Sequence, residues 1–334
     1  MDFRFTEEQN MLRASVRGEL DRIAASTDNA NKVEHIWQLG VAQGWTLLML
    51  PAELDGLGLG LVDGVIFHEA LGQTACTGPF AANSALLAGL QRCGIDIVPD
   101  KLWQAAATGK TQFALGEIQN GRVVTSFPET ARHVILVDLT SQSEIKFGLC
   151  EMSALTTVER GKGFDVDVAI ATAAIPEIRM ARADPHTGMA ALGGIRLLNC
   201  AEILGLADQA LAITLDYVKD RKQFDKPIGS FQAIKHALAN AFVALENGKT
   251  ALYHAAWQWD QSPASAVFAT DAARARIGRT GIDILHTCIQ AHGGIAFTWD
   301  YGMHGRLRRI RRLTTTLGTI AEAKRNIARE LLGC

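Results

Sequence analysis

The sequence predicts a mainly α protein with a small β domain set between two helical regions. Three observations carry that expectation. Apolar residues recur at helical spacing through both ends of the chain, short β-rich runs fill the stretch from about 111 to 185, and long segments with few breakers follow Pro185. The expected units are an N-terminal helical domain over 1–110, a β-domain over 111–185 and a C-terminal four-helix bundle over 186–334.

The first helix is expected over 6–25, with Thr6 as N-cap, Glu8 in the first turn and Met11, Leu12, Val16 and Leu20 on one face. A second runs from about Lys32 to Gly44, a glycine suited to a C-cap. Leu50 to Gly60 reads as a loop, followed by helices near 62–73, 79–93 and 98–107. From Gln112 the period shortens. Phe113–Leu115, Arg122–Thr125, His133–Asp138, Ile145–Cys150, Thr156–Arg160 and Val166–Ala174 read as strands of a small sheet or partial barrel. Helices return over 187–220, 230–260, 263–292 and 303–332, with the amphipathic pattern of an antiparallel bundle.

Composition narrows the function classes. A chain of 334 residues with 48% hydrophobic and 20% charged residues is a globular protein with a sizeable core. A formal charge of −2 supplies no field that would draw it to nucleic acid or an anionic membrane. No secretory h-region opens the chain and no uninterrupted apolar run is long enough for a bilayer, so neither export nor membrane insertion is expected. The cysteines at 76, 93, 150, 200, 288 and 334 form no C-x-x-C pair, which favours buried reduced thiols and a cytoplasmic location. The histidines show no metal-binding spacing, and those at 236, 254, 286 and 292 read as polar positions on bundle helices. Gly56-Leu-Gly-Leu-Gly60 follows no strand, so it is not a dinucleotide fingerprint.

Two segments bear chemistry. Arg221-Lys-Gln-Phe-Asp-Lys-Pro-Ile-Gly-Ser-Phe-Gln232 joins two bundle helices, with Pro227 and Gly229 as breakers, Ser230 as a cap and Gln232 in the next first turn. Arg221 supplies a forked cation suited to a pyrophosphate, and Phe224 a flat apolar face. An ordinary helix–helix turn explains the run equally well when it is taken alone. In Gln290-Ala-His-Gly-Gly-Ile-Ala296 the paired glycines let backbone approach a ligand, although a C-cap and tight turn is the plainer reading.

Together, R-x-x-F-x-x-P-I-G-x-F-Q and Q-x-x-G-G resemble the C-terminal domain of the acyl-CoA dehydrogenase family. Thr6-Glu-Glu-Gln, Gly44-Trp45, the proline and glycines of 51–60 and His68-Glu69-Ala-Leu-Gly72 resemble its N-terminal domain. The resemblance implies FAD lying between subunits. One subunit's β-domain would cradle the flavin ring, while Arg221, Phe224, Gln232, Gln290, Gly293 and Gly294 would hold the ADP part of a neighbour's flavin.

The departures are as informative. The Thr-Glu-Pro-Gly-like turn and the Trp-Ile-Ser/Thr segment of the family are missing around Leu115–Arg122, so the middle β-domain is expected to be shortened. The family's base is a Glu with a pKa raised by burial, in a Tyr-Glu-Gly-Thr turn; here Thr316-Leu317-Gly318-Thr319 places Leu317 at that position. The alternative position on the first bundle helix falls on Ile195, and Glu202, two turns on, is a weak candidate for a displaced base beside a plainer structural role. The run Arg306, Arg308, Arg309, Arg311 and Arg312 suits an anionic partner or CoA phosphates, or simply a solvated or subunit-facing helix surface.

The combined expectation is the short subunit of a heterotetrameric acyl-CoA dehydrogenase that desaturates CoA thioesters of steroid side chains, a branch that His292–Trp299 and Ser230–His236 resemble. A longer dehydrogenase-like partner would supply the catalytic Glu, with electron-transfer flavoprotein as the acceptor. A self-sufficient homo-oligomeric dehydrogenase and a flavin-free scaffold of the same fold are the alternatives.

Overall fold

The N-terminal unit is built on helix–helix contacts fixed by aromatic and glycine packing. The structure, a computed structural model, describes residues 5–25, 32–54, 56–165, 167–299 and 301–333. Asp55 of the expected loop, Val166 of the expected last strand and Cys334 lie outside them. Helix α1 (Glu7–Ala25) starts on a reciprocal cap in which the Gln9 N–H donates to Thr6 Oγ1 and the Thr6 N–H to Gln9 Oε1, both at 3.2 Å. Gln9 therefore does the work expected of Glu8, because it occupies the third helical position that faces back to the cap. Helix α2 (Lys32–Ala42) ends ahead of Gly44, left-handed at φ 74°. Helix α3 (Leu61–Thr74) leads to the expected 79–93 helix, which runs unbroken over 80–92 with a π-turn at Ala82–Leu86 inside it and α4 (Leu87–Arg92) as its last part, and then to α5 (Asp100–Ala107). Trp37, Trp45 and Phe67 pack around Phe80.

The middle of the chain forms one seven-stranded sheet in the order β5-β6-β2-β1-β3-β4-β7. Its strands are β1 (Phe113–Gln119), β2 (Arg122–Ser126), β3 (His133–Asp138), β4 (Ile145–Glu151), β5 (Glu159–Lys162), β6 (Ala169–Ala174) and β7 (Ala181–Ala183). β1 and β3 are parallel and the other pairs antiparallel. The period of two sorts the residues of β3 between cores. Ile135 and Val137 join the main core with the helices, while Val134 and Leu136 pack with Ile118 and Val123 on the other face.

The C-terminal unit begins at α6 (Pro185–Asp220), where the Asp184 carboxylate accepts from the N–H groups of His186 and Thr187 at 3.0 and 3.1 Å. Helices α7 (Gln232–Gln261) and α8 (Val267–His292) complete an antiparallel core. The last expected helix is two, α9 (Met303–Leu313) and α10 (Ile320–Leu332), because the chain turns at Leu317 (φ 55°) and Gly318 (φ 102°). Ser230 is not the cap of α7: its hydroxyl donates back to the Pro227 carbonyl at 2.7 Å, and Phe231 takes the cap position. Helix α6 is long and apolar enough to cross a bilayer, which no single uninterrupted run announced, yet 94% of its apolar window is buried by the rest of the fold.

Two features hold α3, α6 and α7 together. At Gly205 an added Cβ would lie 2.1 Å from the Glu69 carbonyl, so α3 and α6 meet backbone to backbone. Gly205→Ala should lower stability by about 1–3 kcal/mol through overpacking, read from urea unfolding. Beside it the Tyr253 hydroxyl donates to the buried Glu69 carboxyl, and Gln73 Nε2 donates to Asp208, which pairs with Lys249 at 3.4 Å. Burial pushes the Glu69 pKa up to about 7. The folded state then binds more protons than the unfolded chain between the ordinary carboxyl range and pH 7, so stability falls as pH rises through that window. Glu69→Gln should remove this decline, which is worth about 3 kcal/mol on linkage grounds, in unfolding curves taken at pH 5 and pH 8.

Candidate functional site

The two segments singled out by sequence lie together at one end of the bundle. After α6, strands β8 (Lys222–Gln223) and β9 (Lys226–Pro227) make a small hairpin. Phe224 and Asp225 form its tip with φ of 52° and 63°, the doubly left-handed geometry of a two-residue hairpin turn. That geometry is costly for a Phe, and it lifts the Phe224 ring to 87% exposure. The Ile228 N–H donates to the Arg221 carbonyl at 2.8 Å, closing the base of the hairpin, and the Arg221 side chain is exposed.

Helix α8 ends at His292, and Gly293 turns the chain at φ 68°. The His292 ring stacks on Tyr217 with centroids 4.3 Å apart, and Tyr301 packs against both rings, 4.9 Å from His292 and 6.3 Å from Tyr217. Tyr217 lies one turn before Arg221 and His292 one residue before Gly293, so this stack joins the two segments. Cβ atoms added at Gly293 or Gly294 would meet nothing within 4 Å, which leaves both backbone units open to close approach. Gln290 and Gln232 are exposed on the last turn of α8 and the first of α7. All six expected cofactor residues therefore sit on accessible surface at this end.

The turn between α9 and α10 is different in kind. Leu317 is fully buried, and its N–H donates to the Glu117 carboxylate of β1 at 2.9 Å. Arg274 of α8 donates to the carbonyls of Thr316, at 2.5 Å, and Gly318. Burial depresses the Arg274 guanidinium to about 10 and raises the Glu117 carboxyl. Arg196, next to Ile195 on α6, pairs with Asp271 at 2.5 Å, and Asn326 donates to the same carboxylate. The position that would carry a base is thus a hydrocarbon clamped on both sides. It cannot accept a proton.

Glu202 is buried 3.7 Å from Arg309, and burial raises its pKa. Arg309 is only 1% exposed and also pairs with Asp167 at 2.9 Å and Asp165 at 3.6 Å, while donating to the carbonyls of Ala75 and Cys76. Glu202 is therefore the counter-charge of a buried arginine. The arginine run of α9 is not simply a solvated face either, since Arg309 is in the core and Arg306 half-buried. Sequence reasoning missed Arg274, Glu117 and Asp165, whose partners lie far along the chain. The only local signal was a charge set among apolar neighbours. Among the described residues, no group of three or more His, Cys, Asp or Glu side chains is placed to hold a metal ion.

The family description "Acyl-CoA dehydrogenase, N-terminal domain" matches residues 6–110, and "Acyl-CoA dehydrogenase, C-terminal domain" matches residues 186–332. The chain belongs to the acyl-CoA dehydrogenase family. It is an oxidoreductase of the class acting on acyl-CoA, and FAD is the family's cofactor. It is 28% identical to acyl-CoA dehydrogenase IpdE2 of Mycobacterium tuberculosis, over 97% of this chain and 98% of that one. Its fold is similar to the ChsE4–ChsE5 complex of Mycobacterium tuberculosis (TM-score 0.78, 20% identity, 100% of both chains). It is also similar to the Tcur3481–Tcur3483 steroid ACAD (TM-score 0.79, 20% identity, 98% of both chains).

The residues fit FAD unevenly. The open glycine backbone, exposed Arg221 and projecting Phe224 suit the outer, phosphate-bearing part of the molecule. The Leu317 turn itself carries no carboxylate, and that of Glu117 beside it is held by the Leu317 N–H. Arg309→Met should cost about 3–5 kcal/mol by stranding Glu202 without its cation, while Asp165 keeps Arg312 at 2.8 Å. The double variant with Glu202→Gln should regain part of that loss in urea unfolding, which separates counter-charge from simple packing.

Proposed function

We propose that this chain is one subunit of a hetero-oligomeric, FAD-dependent acyl-CoA dehydrogenase, and that its role is to complete a flavin site whose reactive half belongs to a longer partner. The observation that carries the reading is the pairing of an exposed, preformed phosphate-suited edge with a buried Leu317 where a base is required. Arg221 would meet the pyrophosphate with its forked donor, and the N–H groups of Gly293 and Gly294 would approach from the other segment. Gln232 and Gln290 would donate from the two helix ends, and Phe224 would lie against the partner or the adenosine. When bound, FAD supplies the acceptor for the hydride leaving the acyl β-carbon, while the proton at the α-carbon goes to a carboxylate of the partner.

The substrate class is a bulky acyl-CoA of the steroid side-chain type, and the assembly an α2β2 heterotetramer. The steroid enzyme among the structural neighbours, the ChsE4–ChsE5 complex and the whole-length likeness to IpdE2 support this. Electron-transfer flavoprotein as acceptor follows from the family resemblance. A cytoplasmic location fits the free thiols at Cys76, Cys93, Cys150, Cys200 and Cys288. A self-sufficient enzyme using Glu202 is disfavoured, because that carboxylate is held by Arg309 behind the surface.

Expressed alone, the chain should be colourless and unable to reduce a dye with acyl-CoA. Co-expressed with the longer subunit it should yield a yellow, active complex. A yellow and active lone chain overturns the heteromer reading. In the complex, Arg221→Ala should weaken flavin retention about tenfold or more, measured as the ratio of flavin to protein absorbance after dialysis. Unchanged retention removes Arg221 from the flavin edge.

A further inference from the structure

An apolar groove of about 570 Å3 lies between the last turns of α6, the first turns of α7 and the hairpin that joins them. Leu215 and Val218 of α6, Pro227 and Gly229 after the hairpin tip, and Leu238 and Phe242 of α7 line it. Lys219 and Lys235 are the charged residues of the lining, and no carboxylate lines it among the described residues. Lys219 is paired with Asp216 at 3.0 Å, while Lys235 stands exposed on α7 with no ion pair among the described residues.

The walls of this groove are fixed before anything enters it. At Gly229 an added Cβ would lie 2.9 Å from the Val218 carbonyl, so the chain after the hairpin rests directly on α6. Lys226 sits over the Phe231 ring at 4.5 Å, and Phe224 meets the same ring edge-on at 6.2 Å. Yet the mouth is apolar and wet: Leu215 is 38% exposed, Phe242 54% and its neighbour Val243 58%. Contiguous apolar surface with a charged rim marks a place where another molecule packs. Shape and charge select the occupant. The groove is open along one side, whereas a small-molecule site encloses most of its ligand. A two-fold contact centred on it would set a concave surface against a concave surface and lysines against lysines, which argues against a second copy of this chain. The same hairpin carries Arg221 and Phe224, so a subunit whose flavin reaches that edge also passes over the groove.

We propose that this groove is the anchor pocket for the longer subunit, receiving one of its large apolar side chains with a neighbouring carboxylate placed on Lys235. The inference rests on the heteromer reading and adds where the partner grips and by what chemistry. A desolvated apolar anchor supplies most of the affinity of such a contact, and the rim charge sets orientation and association rate. The anchor lies on the bundle beside the flavin contacts, so assembly can be measured apart from flavin retention.

The test is co-expression of the full-length chain with the longer subunit, followed by light scattering on a sizing column across a dilution series. Ala239→Asp, at an exposed position in the groove, should raise the dissociation constant about tenfold or more and leave the lone chain's melting curve unchanged. Phe242→Ser, also exposed, should weaken assembly in the same direction and guards against misfolding of the first variant. Lys235→Glu should weaken it about threefold, with a larger effect at low salt. A wild-type chain that forms no complex removes the heteromer reading, and this inference with it. A complex indifferent to all three groove substitutions overturns the anchor pocket and leaves the heteromer reading standing. If Ala239→Asp instead converts a lone-chain dimer to monomer with hetero-assembly intact, the groove belongs to a second copy and the proposal falls.

Discussion

One guanidinium sits where all parts of this molecule meet. Arg309 comes from α9, holds the carbonyls that close α3, pairs with two aspartates of the β5–β6 loop and faces Glu202 on α6. A cation buried this deeply survives only with its charge matched and its donors satisfied. The helical N-terminal unit, the sheet and the bundle therefore share a single electrostatic joint. The sheet's position on the bundle is not independent of that joint.

The same logic separates the two ends of the site. Around Leu317 Arg196 is paired with Asp271, Arg274 donates to backbone carbonyls and Glu117 accepts a backbone N–H, so the region reads as framework. At the opposite end of the bundle, polar groups and glycine backbone are left facing outward. A chain that neutralises its own interior and exposes its recognition groups is organised to serve a neighbour's chemistry.

Much of this was legible in the sequence, and the limits have physical causes. The helices announced themselves through period and breakers, and the R-x-x-F and Q-x-x-G-G segments through spacing. The α9–α10 break did not, because Thr314–Leu317 keeps helical spacing while the backbone at Leu317 turns left-handed. Ser230 carries cap chemistry but spends its hydroxyl on the preceding turn. Arg309 looked like one stripe of a surface because its aspartates lie in another unit. Local pattern reports propensity, whereas the burial of a charge depends on partners that only the fold assembles.

The stack of His292 on Tyr217 has a consequence for how any ligand would be received. Because it ties the end of α6 to the end of α8, the two halves of the exposed edge are set side by side before anything docks. Little ordering entropy remains to be lost on association. Encounter there resembles a key entering a finished lock, so release, not loop closure, sets how long an occupant stays.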